Sequence, residues 1–358
     1  MNAPLDPNRF KDVDTPTREF VCVNGAQKIL TDMAALNARF ALLQAPGGAS
    51  IYISRSDFLP IQDSDLKRRL ACEVVVTGRK DDRDVYSAAY SYWTGHAERH
   101  VYKHIAFTSE PLPPDTLNLF RGLGVKPKAG PCQLILDHVI EVICAGDINA
   151  SDAMLKLLAW QIQNIGKPSR IIPVLKTAKQ QAGKGILLGE LMAKIYGQSG
   201  FTAADTDQIL GRFNDALRGT SFIFLDEVLF SGDKQAADQI KSLSTCTQIG
   251  IETKGLPIVQ CPIGVNLWLA SNHENAAHIE EWDQRYWVIN CSEHRIGDAD
   301  YFAELMREIN HGGREAFAYY LLMLDVSEFV PSRDIKRDND ARQDMIIQSV
   351  NPYDAKVD

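Results

Sequence analysis

The chain has 358 residues, 45% of them hydrophobic, which suits a main domain beside a smaller one, and its formal net charge of -8 excludes a globally basic nucleic-acid binder. Any DNA-facing surface must be local, or line a pore shared by several subunits. Seven scattered cysteines (Cys22, Cys72, Cys132, Cys144, Cys246, Cys261, Cys291) form no CxxC pair, which argues against structural zinc or a disulfide framework and suits a reducing cytoplasm.

The opening MNAPLDPNRFKD is polar and reads as a leader, not a signal peptide, and no apolar stretch is long enough to span a bilayer. Gln27 to Phe40 has helical spacing. Ala41 to Leu43 and Ile51 to Ser54 read as strands around Pro46-Gly47-Gly48. Asp63 to Leu70 reads as a helix and Ala71 to Thr77 as a strand, so an N-terminal α+β region over residues 1–110 is expected. Between Tyr86 and Phe107, His96, His100 and His104 recur every four residues, and one helix would carry all three on a face. That spacing admits a metal site, but an amphipathic helix with its histidines in water is the favoured reading, since Glu98 points off that face and no cysteine completes a ligand set.

SEPLPPD (109–115) is a proline-rich break. Cys132 to Ile148 and Asp152 to Ile165 follow as two amphipathic helices, with Leu134, Ile135, His138, Val139, Val142 and Ile143 on one side. They are expected to form a helical collar over residues 115–168.

The chain is organised around RIIPVLKTAKQQAGKGILLGE (170–190). An apolar strand leads into a polar turn, and a helix with Ile186, Leu187, Leu191 and Ile195 at helical spacing follows. Gly183-Lys184 before that helix has the layout of a phosphate loop, whose N–H groups and lysine hold phosphate oxygens. The cofactor-binding stretch is therefore Ala178, Lys179, Gln180, Gln181, Ala182, Gly183, Lys184 and Gly185, for ATP. The pattern G-x-x-x-x-G-K-[ST] is incomplete: Ala178 replaces its first glycine and Gly185 its hydroxyl residue.

Downstream, TSFIFLDE (220–227) is a buried strand that delivers two acids to the end of a sheet: Asp226 for Mg2+ and Glu227 to polarise the attacking water. VNLWLASNHEN (265–275) is another, placing Asn272 to hydrogen-bond a γ-phosphate or the water. Asp283-Gln284-Arg285-Tyr286-Trp287 then offers Arg285 to a neighbouring subunit's nucleotide. An ATPase core over 169–295 and a C-terminal helical segment over 296–358 complete the expected organisation.

The order GK, apolar-DE, K-S-L-x-T with a later E-x-K-G, apolar-S-N and D-x-R-Y-W resembles superfamily 3 helicases, and more narrowly the ATPase part of phage and plasmid primase–helicases. The resemblance covers roughly residues 30 to 350 and is most specific in DEVLFSGDKQAADQIKSLSTCTQIGIETKG. It implies an α/β P-loop NTPase core of AAA+-like type. It also implies Lys184 on the phosphates, Asp226 and Glu227 at Mg2+ and water, Asn272 as sensor and Arg285 as a finger in trans. Lys241 and Lys254 fall in the element that carries the family's DNA-tracking hairpin. The expected function is an ATP-dependent helicase or translocase on single-stranded or forked DNA, assembled as a hexameric ring. No primase domain is expected within residues 1–110, so a primase would be a separate partner chain or lost. Against the family loop G-x-x-G-x-G-K, Ala178 and Gln181 replace two glycines, and a side chain at position 181 demands a strained backbone or crowds the phosphates. The competing reading is an ATPase module with weak or no turnover that scaffolds replication proteins.

Overall fold

The computed structural model describes residues 19–44, 50–203, 207–211, 214–226, 234–272 and 282–349. The chain divides into two compact units: the described residues of Met1–Ala106, Leu112–Leu117 and Thr253–Gln260, and those of Phe107–Pro111, Asn118–Glu252 and Cys261–Asp358.

The first unit carries two four-stranded sheets. One pairs Phe20–Val23, Ala26–Leu30, Glu73–Lys80 and Arg83–Ala88 in that order; the other pairs Pro60–Ile61, Ser50–Ser54, Phe40–Gln44 and Val101–Tyr102. Helices Met33–Arg39, Asp63–Arg69 and Ala89–Gly95 bring Leu36, Leu66, Leu70 and Trp93 into one apolar cluster. Trp93 Nε1–H donates to Asn37 Oδ1 at 2.9 Å, which satisfies a polar atom that burial would otherwise strand.

Two local readings change here. Gln27–Phe40 is not one helix. A strand runs Ala26–Leu30, and the helix starts only after Asp32, whose carboxylate accepts from Ala35 N–H at 2.7 Å. The histidine helix also fails. It ends at Gly95, and His96 already has extended φ/ψ of -86 and 139. His104 then lies in the strand His104–Ala106, so the four-residue spacing never becomes a shared face.

In the second unit, five strands build a sheet: β1 (Ile172–Lys176), β2 (Gly200–Ala203), β3 (Phe222–Asp226), β4 (Asn266–Ser271) and β5 (Tyr286–Asn290). Their order is β2-β3-β4-β1-β5, with every pair parallel. Parallel strands buried on both faces read as unbroken apolar runs, and Phe222 to Leu225 and Leu267 to Ala270 are indeed all buried. Helix Ile148–Gln163, N-capped by Asp147 on Asn149 and Ala150 N–H, supplies Met154, Leu157, Leu158 and Ile162 to the core. Its Gln161 accepts from Trp268 Nε1 at 3.0 Å, tying helix to sheet through a buried polar pair. Ahead of it, Gln133–Asp137 continues as His138–Ile143 with wider, five-residue winding. Helices Ala299–Glu308, Arg314–Met323 and Asp340–Ser349 follow the sheet. No helix among the described residues is long and apolar enough to cross a membrane.

Candidate functional site

The parallel register sends the carboxyl ends of β1, β3 and β4 to one edge. Lys176 pairs with Ser271, and Asp226 pairs with Ala270. The β1 strand leaves this edge through Thr177–Gly183, and a helical run begins at Lys184. Ile186 and Leu187 N–H both reach back to Gly183 O, at 3.1 and 3.3 Å, so Gly183 is the first carbonyl of that helix.

Lys184 is only 5% exposed. Its ammonium donates to Thr177 Oγ1 at 2.5 Å, Asn272 Oδ1 at 2.7 Å and Ser271 O at 2.9 Å. Thr177 in turn donates to Lys179 O at 2.7 Å. The lysine thus lies folded onto the sheet edge, its charge solvated by three oxygens in place of water. Asp226 closes the same corner: a Cβ added to Gly185 would stand 4.0 Å from its Oδ2.

The loop's departures from the glycine pattern are visible in its backbone. Gln181 has φ 64, the left-handed region that the glycine it replaces would occupy freely, and Gly183 has φ 88. Two side chains from outside the strand–loop–helix unit hold this loop. Glu293, after β5, accepts from Ala178 N–H at 2.9 Å and Lys179 N–H at 3.0 Å, and pairs with Lys179 Nζ at 3.6 Å. At the far end, His138 Nε2 meets Gly183 O at 3.2 Å, and its Nδ1 meets Tyr301 OH at 2.9 Å. Burial holds His138 down at about 4 and Tyr301 up at about 12.

Of the residues expected from sequence, Lys184 and Asn272 are in contact, and Asp226 stands at the same edge. Glu227 lies outside the described residues. Arg285 is at the opposite end of the sheet. Ile172 N–H donates to its carbonyl at 2.8 Å, and Tyr286 pairs with Ile172 at the start of β1. Five residues of strand, on the order of 15 Å, separate it from this chain's phosphate loop. Its guanidinium lies 3.3 Å from Asp283, which also faces Lys241 at 3.6 Å. These three residues line a cavity of about 530 Å³ together with Arg170, Trp282 and Arg337. Lys241 is therefore a buried neighbour of Arg285. Lys254 is exposed: Leu256 N–H donates to Thr253 O at 3.1 Å across a turn with Gly255 at φ 77, between the paired strands Gln248–Ile251 and Val259–Pro262. Sequence reasoning missed Thr177, Glu293 and Tyr301, and read His138 only as part of an apolar face. A histidine on such a face is a weak signal, and the other three had none.

Among the described residues, no group of three or more His, Cys, Asp or Glu gathers as a metal cluster. Mg2+ at Asp226 would be of the kind held by one carboxylate, phosphate oxygens and water, which suits this corner.

A parallel sheet of this order, with a lysine-bearing loop leading from β1 into a helix and an acid at the end of β3, defines an α/β P-loop NTPase-like core. A model described as a family of unknown function (DUF5906) matches residues 175–285. No curated protein matches the chain. Among solved structures, the apo structure of the NrS-1 C-terminal region (305–718) is similar at TM-score 0.63 and 16% identity, covering 89% of this chain and 74% of that one. An A-form apo structure of the same region gives 0.60 and 19%, covering 76% and 69%. A JCV helicase structure with a bound acetamide compound reaches only 0.36 and 14%, covering 64% and 62%, too low to weigh.

Proposed function

We propose that the chain is an ATP-dependent DNA helicase or translocase that hydrolyses ATP at the subunit interfaces of a hexameric ring. The observation that carries this reading is the split of its ATPase residues between the two ends of one sheet. Lys184, Asn272 and Asp226 share the carboxyl end. Arg285 is at the other, a strand length from this chain's own loop, and in this reading it serves another subunit's nucleotide.

ATP would draw the Lys184 ammonium off Thr177 and Asn272 onto its β and γ oxygens, exchanging neutral acceptors for charged ones. Asp226 would hold Mg2+, which neutralises charge on those oxygens. Asn272, released from the lysine, would be left to sense the γ-phosphate or orient the attacking water, and Glu227 would polarise that water. Arg285 would complete the site of the next subunit. We assign the DNA contact to Lys254, exposed at its turn, and leave Lys241 with Asp283 and Arg285, because it is largely enclosed and already ion-paired to Asp283. The setting we propose is a cytoplasmic, mobile-element-type replication system.

A second reading, a scaffold with little or no turnover, is favoured by one observation: the Glu293 carboxylate already occupies two N–H groups of the loop. ATPase assays with and without single-stranded DNA, beside Lys184→Ala, separate the two. The first reading expects DNA-stimulated turnover that the substitution abolishes. Turnover unchanged by Lys184→Ala would sink the phosphate-loop assignment, and none in the wild type would favour the scaffold.

A further inference from the structure

We propose that His138 is a positioning residue for the phosphate loop: oriented by Tyr301, it holds the Gly183 carbonyl and so aims the Lys184 N–H into the phosphate cradle. This rests on reading the loop as a nucleotide site.

The direction of each hydrogen bond follows from its last member. A carbonyl only accepts, so His138 Nε2 carries the proton it donates to Gly183 O at 3.2 Å. A neutral imidazole then has a bare Nδ1, which must accept, and the Tyr301 hydroxyl donates to it at 2.9 Å. Burial keeps His138 neutral and Tyr301 protonated at physiological pH, so both keep the form this relay needs. Tyr301 is itself held. Its N–H is capped by Asp298 at 3.1 Å, and Arg295, paired to Asp298 at 3.0 Å, lies over its ring at 4.5 Å.

The described chain has no cis peptide bond. In a trans peptide the C=O of Gly183 and the N–H of Lys184 point in opposite directions. Pinning the carbonyl toward His138 and the helix therefore turns the Lys184 N–H outward to the loop, the direction that phosphate binding at a helix start requires. The packing admits only glycine at this point. A Cβ on Gly183 would lie 2.4 Å from His138 Cε1 and 3.0 Å from Phe302 Cε1. Glycine here serves the close approach of the imidazole as well as φ 88. A loop with alanine at 178 and a strained glutamine at 181 thus gets part of its shape from a helix 45 residues upstream.

The test is nucleotide affinity, by titration of a non-hydrolysable ATP analogue into full-length protein with Mg2+. His138→Leu removes the donor at similar volume, and His138→Gln restores an N–H near the Nε2 position. Tyr301→Phe leaves the imidazole free to change tautomer. Loss of one buried hydrogen bond predicts about fivefold weaker binding for His138→Leu. His138→Gln should recover most of it, and Tyr301→Phe should fall between. Equal losses in the Leu and Gln variants would overturn the proposal, since bulk alone would then matter. So would wild-type affinity in Tyr301→Phe, which also stands if His138→Leu does not fold. Lys184→Ala separates the two layers. If it leaves affinity unchanged, the nucleotide reading itself fails; if it abolishes binding while His138→Leu does not weaken it, only the role of His138 fails.

Discussion

At the carboxyl end of the central sheet, Lys184 is enclosed and hydrogen-bonded to three oxygens of its own chain, whereas at the amino end Arg285 keeps 40% of its side chain exposed over an open cavity. The described cavity lining carries four cations, Arg170, Lys241, Arg285 and Arg337, against Asp238 and Asp283. Asp283 faces both Lys241 and Arg285, and Asp238 lies 3.8 Å from Lys241. The carboxyl end is a site completed internally and clamped by Glu293 and His138. In the proposed ring these two ends belong to one reaction centre, and because a strand length separates Arg285 from its own chain's loop, hydrolysis would then depend on assembly.

The largest effect expected from this division is that of Arg285→Ala. A finger arginine in trans predicts a fall in turnover of roughly a thousandfold, with nucleotide binding by the same subunit kept. Mixing Arg285→Ala with Lys184→Ala subunits should restore part of the activity, because some interfaces then pair an intact loop with an intact arginine. Absence of rescue in mixtures shown to co-assemble would make Arg285 a structural partner of Asp283 and dissolve the contrast between the two ends.

The enclosed end should also show itself in acid. His138 titrates near 6.5 when unfolded and at about 4 when folded. Between those values the unfolded chain binds the extra proton, so this contribution to stability is complete above about pH 6.5 and is lost as pH falls toward 4. The difference amounts to about 3 kcal/mol. The denaturation midpoint of wild type should therefore fall relative to that of His138→Gln as pH goes from 7 to 4, and parallel curves would mean that His138 is not buried neutral.

Smaller still is the expected gain from Gln181→Gly, about 1 kcal/mol or less, as relief of the left-handed backbone is partly offset by the freer unfolded chain. A lowered midpoint would show that Gln181 makes contacts outweighing its strain. Lys254→Ala probes the exposed turn at Thr253–Leu256. Loss of one phosphate contact should reduce the salt slope of single-stranded DNA affinity by about 0.7, alike for all sequences, while basal turnover holds. An unaltered slope would move the DNA path elsewhere.

Much of the sheet was legible because parallel strands buried on both faces leave apolar runs with punctuated ends. IPVLK, FIFLD and NLWLAS announced themselves this way, and the residues at or just beyond their ends, Lys184, Asp226 and Asn272, come to one edge of the sheet. Short elements were less legible. The spacing of His96, His100 and His104 satisfied a helix, but local periodicity does not register that the chain turns at Gly95.

By itself, then, the sequence determined which segments are buried, which polar residues stand where those segments end, and the strand–loop–helix order of the proposed phosphate cradle. Those properties reside in neighbouring residues and in side-chain periods of two and 3.6. Only the tertiary structure decided the strand order, the distance that keeps Arg285 from its own loop, and the contacts of His138 and Glu293 with that loop. The last two join residues 45 and 115 positions apart. Periodicity marks a face as buried, but which partner covers it depends on packing across the whole unit.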